Sequence, residues 1–502
     1  MALRGVWVGW GNRSQSLYST ARGAGLIYNQ ALSIVSTGRK LGEVLHLVKA
    51  QSAGSGRRAI RVAAAAVLAA CVGALAGCGN TYRPVVATIG IVGPAGQPQK
   101  YAVAVSSPGP TSNGLVTLVD FSGDTVLVTA TLGVNPYYLV LNASGTTGYT
   151  LNSDKTLNSF DISTSLISSQ VLESTLLPGS NPVSLFATVQ STYISDPGVN
   201  AVDQLTSTPP ALKQELPIGA GYSPLYVVGQ SGATRAYAIS PSTTGGLGQV
   251  STIENASNTT TSPTISATIP VGRGPVYGVM TLDDRRAFIL NQTDGTVTVI
   301  NAQNNALDTP VNTIPVGTRP VWADLASGLD ELVVANEGNG TTTPGSVTII
   351  EIPLCSASAL PSNPNCNSTN PIDATTFGQV VATVPVGINP IMVTVLSDYT
   401  RAYVANAGNP ALPCAANGIA VAGVSTTCTV SVVNLTSNTV TATIPINGHP
   451  AYIASSNATP TGKVYVVCKD SQVMTVIETD TDSLDTTVPL QGYGVSVRMQ
   501  QP

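Results

Sequence analysis

The stretch between residues 384 and 446 contains the pattern that decides the fold. It reads VPVGINP (384–390), IMVTVL (391–396), RAYVANAG (401–408), CTVSVVNL (428–435) and TVTATIPI (439–446). β-Branched and small apolar residues dominate each segment, and turn-forming residues separate the segments. Such runs are typical of short β-strands joined by turns. The stretch therefore predicts four consecutive antiparallel strands.

The same unit recurs along the chain, and each copy opens with a Gly-containing turn that ends in proline. These anchor turns are TLGVNP at Pro136, LPGSNP at Pro182, LPIGAGYSP at Pro224, IPVGRGP at Pro275, IPVGTRP at Pro320, VPVGINP at Pro390 and IPINGHP at Pro450. Successive prolines lie 46, 42, 51, 45, 70 and 60 residues apart. This is the period of a four-stranded propeller blade, with insertions in the longest units. The repeat predicts an all-β propeller of four-stranded antiparallel blades.

The number of blades follows from counting these units. A partial unit at 99–133 contains three strand segments, and seven complete units follow it. The chain closes with GVSVRM (494–499), which alternates like an innermost strand. We expect this strand to complete the first unit, which gives eight blades. Seven blades are the alternative if PVVATIGIV (84–92) is the inner strand and one weak unit is irregular.

The repeat also carries a family resemblance. RAYVAN (401–406), TVSVVN (429–434) and TVTATIPI (439–446) resemble the repeat of the YVTN β-propeller family, which is also met in surface-layer proteins and lactonase-like propellers. The resemblance covers nearly the whole chain after Cys78 and is strongest between Pro224 and Pro489. It implies a propeller fold, and the repeat brings no catalytic residues of its own.

A targeting signal lies between residues 57 and 78. Arg57, Arg58 and Arg61 precede an apolar segment at 62–74 that is too short to span a bilayer, and LAGC (75–78) follows it. This resembles the lipobox of bacterial lipoproteins, in which the cysteine thiol receives a diacylglyceryl group. We therefore predict a signal peptide at 57–77 and lipidation at Cys78. The alternative is an ordinary signal peptide in which Cys78 is incidental.

The signal divides the chain. Residues 1–56 precede a complete signal and show neither a long apolar run nor a helical period. We interpret them as a non-structural extension from an upstream start, with initiation at a codon such as that of Val48. Residues 78–98 are predicted as a tether and first strand, and residues 99–502 as the propeller.

Charge is unevenly distributed along the chain. Residues 1–77 hold 9 of the 22 Lys and Arg but only Glu43 of the 26 acids, which leaves a net charge of −12 after them. An acidic surface repels nucleic acid phosphates and anionic lipids. Membrane attachment is therefore predicted to occur through the lipid alone. Gly79 stands where an inner-membrane retention signal has Asp. We therefore expect the protein in the cell envelope at the outer membrane, either periplasmic or surface-exposed. We also expect a monomer.

Five cysteines follow Cys78. Cys355 and Cys366 bracket one loop insertion, and Cys414 and Cys428 bracket another. In an oxidising compartment we expect both pairs to form local disulfides, each worth about 3 kcal/mol in the chain-entropy model. Free thiols or a zinc site are the alternative, but the chain has two histidines and no CxxC pair. No metal and no cofactor is predicted, and Cys468 is expected to be a buried free thiol.

The anchor turns are the first candidate for a ligand site because they surround one mouth of the central channel. Their variable residues are Asn135, Asn181, Arg273, Arg319, Asn389 and His449. These side chains are donors suited to an anionic or carbonyl ligand. The alternative is that they are ordinary turn residues selected for local hydrogen bonds.

The second candidate lies two residues beyond each anchor proline. The residues there are Tyr138, Ser184, Tyr226, Tyr277, Trp322, Met392 and Tyr452, and five of the seven are aromatic in a chain with 5% aromatics. The position begins the innermost strand, so a ring there can line the channel or pack between blades. An aromatic pocket for a sugar or peptide is one interpretation, and inter-blade packing is the other.

Candidate catalytic residues are scarce. One histidine follows the signal, and the acids Asp324 and Glu337 near Arg319 are not placed together by the sequence. We assign no catalytic residue. Their scarcity argues against an enzyme, but whether the protein catalyses a reaction stays open at this point. The favoured function is a binding or scaffold module for a protein, peptide or glycan ligand of the cell envelope. A lactonase-like hydrolase and a surface-layer-like structural protein are the alternatives.

We predict that Cys78→Ser abolishes lipidation, because only the thiol accepts the glyceryl group. Metabolic labelling with a radioactive fatty acid, followed by immunoprecipitation, measures the effect. Incorporation of label into the Cys78→Ser protein at the wild-type level contradicts the lipobox.

Overall fold

The computed structural model describes residues 100–206, 209–258, 260–354, 374–415, 418–456 and 462–500. The predicted tether at 78–98, the signal peptide and Cys78 lie outside these ranges. In the part of the chain that is described, no helix is long and apolar enough to cross a membrane. The described residues form 33 β-strands and a single 3-10 helix at Ser168–Gln170.

The strands form eight antiparallel sheets that follow one another along the chain. The first sheet contains β1 (Tyr101–Ser107), β2 (Asn113–Asp120) and β3 (Val126–Val134). The second contains β4 (Pro136–Leu141), β5 (Thr147–Asn152), β6 (Thr156–Asp161) and β7 (Leu172–Thr175). The third and fourth contain β8 (Ser184–Ala187), β9 (Thr192–Asp196), β10 (Ala201–Leu205), β11 (Leu212–Pro217), and β12 (Tyr226–Val228), β13 (Arg235–Ser240), β14 (Leu247–Glu254), β15 (Thr264–Arg273).

The fifth sheet contains β16 (Pro275–Met280), β17 (Arg286–Asn291), β18 (Thr296–Asn301), and an outer edge in two pieces, β19 (Ala306–Leu307) and β20 (Thr313–Pro315). The sixth and seventh contain β21 (Pro320–Ala326), β22 (Glu331–Asn336), β23 (Pro344–Glu351), β24 (Val380–Ile388), and β25 (Pro390–Val395), β26 (Arg401–Asn406), β27 (Thr429–Asn434), β28 (Thr439–Pro445). The eighth contains β29 (Pro450–Ser455), β30 (Lys463–Cys468), β31 (Val473–Glu478), β32 (Ser483–Pro489), and β33 (Tyr493–Met499) ends the chain.

The last strand closes the ring. β33 pairs antiparallel with β1, with Ala102 opposite Met499 and Ala104 opposite Val497, so the first sheet takes its inner strand from the C-terminus. The inner strands β4, β8, β12, β16, β21, β25, β29 and β33 then contact one another in a closed cycle. The prediction of eight four-stranded blades closed by GVSVRM is confirmed. The alternative inner strand at 84–92 lies outside the described residues.

Each sheet is buried on both faces, and β26 shows how one strand achieves this. Ala402 and Val404 belong to the apolar cluster shared with the sixth blade, whereas Tyr403 and Ala405 belong to the cluster shared with the eighth. Side chains alternate between the two faces of a strand, so successive residues serve opposite neighbours. This explains why RAYVAN contains no exposed position after its arginine.

The glycine of the anchor turn is required by an asparagine of the next blade. A Cβ added to Gly387, at the end of the sixth blade, would lie 2.6 Å from Cγ of Asn406 in the seventh. Asn406 is fully buried, and its Nδ2 donates to Oγ1 of Thr429 and Oγ of Ser431 at 3.1 and 3.0 Å. Equivalent pairs are Gly133 with Asn152, Gly272 with Asn291, and Gly317 with Asn336. The contact therefore locks the end of one blade onto the second strand of the next.

The outer half of the blades is tied by a second repeated contact. Arg401 and the hydroxyl of Tyr403 in the seventh blade both donate to Asp482 in the eighth. Lys463 and Tyr465 in the eighth blade make the equivalent bonds to Asp124 in the first. The basic residue and tyrosine of the repeat thus hold the neighbouring turn, and this tie also crosses the point where the ring closes.

We expect Gly387→Ala to destabilise the fold by about 1–3 kcal/mol, because its Cβ overlaps the buried side chain of Asn406. Gly232→Ala is the matched control, since an added Cβ there meets nothing within 4 Å. Urea unfolding followed by circular dichroism measures both. Equal midpoints for the two variants would show that the glycine–asparagine contact tolerates a methyl group.

We expect deletion of residues 494–502 to lower the midpoint of thermal unfolding by about 10 °C or more, because the first blade loses its inner strand and exposes a sheet edge. Deletion of residues 501 and 502 alone leaves β33 intact and is the control. Calorimetry of the three proteins makes the comparison. A long truncation that melts cooperatively within about two degrees of the full chain contradicts closure by β33.

Candidate functional site

The aromatic residues two positions beyond the anchor prolines meet inside the central channel. The rings of Tyr277 and Trp322 stack with centroids 3.9 Å apart, and Tyr226 lies 4.8 Å from Tyr277. Tyr452 meets Trp322 edge-on at 5.9 Å, although the seventh blade lies between their two strands. The rings therefore pack across the channel as well as around it.

A β-bulge at the start of the inner strands accompanies these side chains. In β21, Pro320 pairs with Asn336 but Trp322 pairs with Ala335, so one residue of the inner strand has no partner. The same shift follows the anchor proline in β4, β16, β25 and β29. A bulge rotates the strand and redirects the next side chain. The bulge thus fixes the direction of this side chain, which is a ring in β4, β16, β21 and β29 and Met392 in β25.

A single guanidinium lies among these rings. Arg498 is on the closing strand β33, and its guanidinium carbon is 4.3 Å from the centroid of the Tyr452 ring. Its Nε donates to the carbonyl oxygen of Leu139 at 3.3 Å. Within the described residues no carboxylate lies within ion-pair distance of Arg498. Burial raises the pKa of Tyr452 to about 12, against the lowering effect of Arg498.

Sequence reasoning did not select Arg498. The signal was available, because an arginine stands in an inner strand that otherwise alternates small and apolar residues. Its neighbours in the channel come from blades that are distant along the chain, so no local spacing indicated them.

The channel opens into a cavity of about 590 Å³. Its walls include Phe186, Tyr226, Tyr277, Trp322, Asp324 and Arg498. The lining continues to Leu282, Ser327 and Tyr399, in the turns that join the first and second strands. The cavity therefore opens at the end of the inner strands opposite to the anchor turns. Leu282 is 67% exposed at this mouth, where Ser327 supplies a polar group.

Asp324 is the acidic group of the cavity. Its carboxylate accepts hydrogen bonds from the backbone N–H groups of Val395 and Leu325, at 2.8 and 2.9 Å. Burial nevertheless raises its pKa to about 6. The cavity thus contains one cation and one acid that titrates close to neutral pH.

The anchor-turn candidates lie at the other end of the channel, and each charged one contacts an acid of the blade that follows its turn. Nε of Arg273 lies 2.6 Å from Asp294, and Arg319 lies 2.9 Å from Glu337. Their side chains are about half exposed. Asn389 adopts a left-handed backbone conformation with φ 55°. A ligand-binding role for these residues stays a prediction. The structure does not bring Asp324 to Arg319, because Asp324 faces the channel cavity.

The cysteines give one disulfide in the described part of the chain. Cys414 and Cys428 are bonded, with Cα atoms 5.5 Å apart, whereas Cys355 and Cys366 lie outside the described residues. Cys468 is a buried free thiol whose pKa burial raises to about 12. His449 lies against the disulfide, a proximity that sequence reasoning did not foresee.

Comparison with solved structures supports the architecture. The chain is similar to the dihydro-heme d1 dehydrogenase NirN, at 11% identity and a TM-score of 0.56 over 78% of this chain and 74% of that one. This chain therefore has the β-propeller fold. It is also similar to AztD from Citrobacter koseri, at 10% identity and a TM-score of 0.50 over 80% and 97% of the two chains.

A third similar structure is a putative 6-phosphogluconolactonase from Bacteroides fragilis, at 14% identity and a TM-score of 0.47 over 81% and 99% of the two chains. No family model matches the chain, and no curated protein matches its sequence. At these identities the likeness is one of fold alone, and membership of the YVTN family stays a prediction.

We expect peptide mapping without reduction to find Cys414 linked to Cys428, Cys355 linked to Cys366, and Cys468 unlinked. Cys468 should react with a thiol reagent only after unfolding, because it is 1% exposed. Mass spectrometry after alkylation in native and denaturing conditions measures this. Rapid native labelling of Cys468 contradicts its burial.

Proposed function

We propose that this protein is a lipid-anchored binding module of the cell envelope. Its channel cavity holds a peptide, or a peptide-like envelope fragment, whose flat part packs against the aromatic rings and whose free carboxylate binds Arg498. The observation that carries the proposal is Arg498, which lies in an aromatic cavity without a carboxylate partner among the described residues. Attachment through Cys78 keeps the module at the membrane. The chain acts as a monomer in this proposal.

The aromatic wall supports the flat part of the ligand. Tyr277 and Trp322 form a stacked pair, and both residues line the cavity. Aromatic rings supply a large contact area and lose little conformational freedom on binding. A volume of about 590 Å³ lies within the usual range for small-ligand pockets. The cavity is therefore suited to one aromatic or other ring-bearing residue with its neighbours.

The charged groups of the cavity bind the polar groups of the ligand. A guanidinium that stacks on Tyr452 keeps its remaining N–H groups for a carboxylate, which it can bind in a bidentate manner. Both Arg498 and Asp324 act electrostatically on Tyr277 and Tyr452, so they share one environment. The acid favours an ammonium or amide group elsewhere on the ligand and disfavours a second anionic group. This combination favours a peptide over a sugar phosphate.

Fluorescence of Trp322 tests the proposal directly. The other two tryptophans are Trp7 and Trp10, so a full chain with Trp7→Phe and Trp10→Phe reports only on the cavity. We expect glycyl-phenylalanine to change the Trp322 emission saturably and its C-terminal amide to bind more weakly. Arg498→Gln should weaken binding of the free acid roughly 10- to 100-fold, the worth of a charged hydrogen bond.

Two controls separate binding from stability. Arg273→Gln removes an arginine at the opposite mouth and should leave the affinity unchanged. The melting temperature of Arg498→Gln must be measured because Arg498 belongs to the closing strand. Two outcomes rule out recognition of a carboxylate by Arg498. One is equal affinity for the free acid and the amide, and the other is an equal loss of affinity in Arg498→Gln and Arg273→Gln.

The same assay with N-acetyl-phenylalanine, which has a carboxylate but no ammonium group for Asp324 to attract, gives a pH prediction. The ionised Asp324 repels the ligand carboxylate, and its pKa is about 6. Lowering the pH from 7.5 to 5.5 neutralises Asp324 while the ligand stays ionised, so the affinity should rise roughly three- to tenfold. Asp324→Asn should remove this dependence. An affinity that falls on acidification, or an unchanged pH profile in Asp324→Asn, excludes this role.

A further inference from the structure

A second site lies at the anchor-turn end, between the seventh and eighth blades. It consists of Cys414, Cys428 and His449, whose potential ligand atoms all lie within 4.8 Å of one another. Cys428 is fully buried and His449 is 5% exposed. The two cysteines belong to the insertion between β26 and β27, and the histidine belongs to the turn before β29. Two segments that are separate in sequence thus converge on one point.

The imidazole is already oriented toward this point. Nδ1 of His449 lies 2.7 Å from Oδ2 of Asp470, and the backbone N–H of His449 donates to Oδ1 of the same carboxylate at 2.7 Å. A proton on Nδ1 donates to the carboxylate, which leaves the lone pair on Nε2. Histidines that bind metals commonly hold their other ring nitrogen against a carboxylate in this way.

We propose that reduction of the Cys414–Cys428 disulfide converts this cluster into a zinc site of two thiolates and one imidazole. A dithiol reductant supplies two electrons and two protons, which break the S–S bond and form two thiols while the dithiol becomes a disulfide. Each thiol then loses its proton as Zn²⁺ binds through Sγ of Cys414, Sγ of Cys428 and Nε2 of His449. No other redox step is needed.

The geometry requires little rearrangement. A tetrahedral zinc ion with bonds of about 2.1–2.3 Å places its ligand atoms about 3.4–3.8 Å apart. The two sulfurs, which are bonded at present, have to separate to this distance, and all three ligand atoms already lie within 4.8 Å of one another. Cys428 and His449 directly precede β27 and β29 and are buried, so Cys414 in the insertion is the ligand that we expect to move. The carbonyl oxygen of Asn409 lies 3.4 Å from Nε2 and is within reach of the fourth position.

The two states would fasten the same loop in different ways. The disulfide links the insertion to β27, and the metal would add a link to the eighth blade through His449. The redox state of the two cysteines therefore decides whether the insertion is cross-linked by a disulfide or by a bound metal ion. It is independent of the channel cavity at the opposite mouth.

Cobalt substitution tests this proposal. The full chain with Cys355→Ser and Cys366→Ser is reduced with a phosphine, freed of reductant without air, and titrated with Co²⁺. We expect one equivalent to give thiolate-to-cobalt charge-transfer bands and intense tetrahedral ligand-field bands, and the oxidised protein to give neither. Zn²⁺ should displace the cobalt and raise the melting temperature of the reduced protein.

Variants identify the ligands. His449→Gln should remove the tetrahedral spectrum and the thermal effect of Zn²⁺, and Asp470→Asn should weaken binding by roughly 10- to 100-fold. Circular dichroism of each oxidised variant verifies folding. Asp294→Asn makes the same kind of change in the fifth blade and should have no effect on metal binding. An unchanged cobalt spectrum in His449→Gln, or equal binding to the oxidised and reduced proteins, overturns the proposal.

Discussion

Burial of both faces of every sheet is the constraint on which the molecule depends. Alternate residues of one strand, such as Val404 and Tyr403, pack into the clusters of two different neighbours. A blade with two apolar faces cannot stand at the end of a stack, so the row of blades has to close into a ring. The glycine–asparagine contact and the aspartate ties then fix each blade in register with the next.

Ring closure and the candidate site depend on the same strand. β33 supplies the inner strand of the first blade, and it also carries Arg498 into the channel. A cation among tyrosine rings is costly to bury unless a π face, a carbonyl or a ligand compensates it. Tyr452 and Leu139 supply the first two. The proposed carboxylate ligand supplies the third and would also strengthen closure.

The two ends of the channel differ in chemistry. At one mouth, anchor-turn residues such as Arg273 and His449 are paired with acids of the blade that follows the turn, and these pairs hold the turns in place. At the other mouth, the cavity leads to Asp324 and to Arg498, which has no carboxylate partner in the described part of the chain. Ligand recognition and the proposed metal site can therefore operate without sharing residues.

The sequence by itself determined the four-stranded blade and the aromatic positions, because each of these repeats with a fixed period. Counting that period favoured eight blades closed by the last strand, and the structure decided between eight and the alternative of seven. The sequence also indicated the Cys414–Cys428 pair, since the two cysteines bracket one insertion. Only the tertiary structure decided that Arg498 meets Tyr452, that the cavity opens away from the anchor turns, and that His449 reaches the disulfide. These contacts join residues from different blades and occur once each, so no periodic signal in the sequence could reveal them.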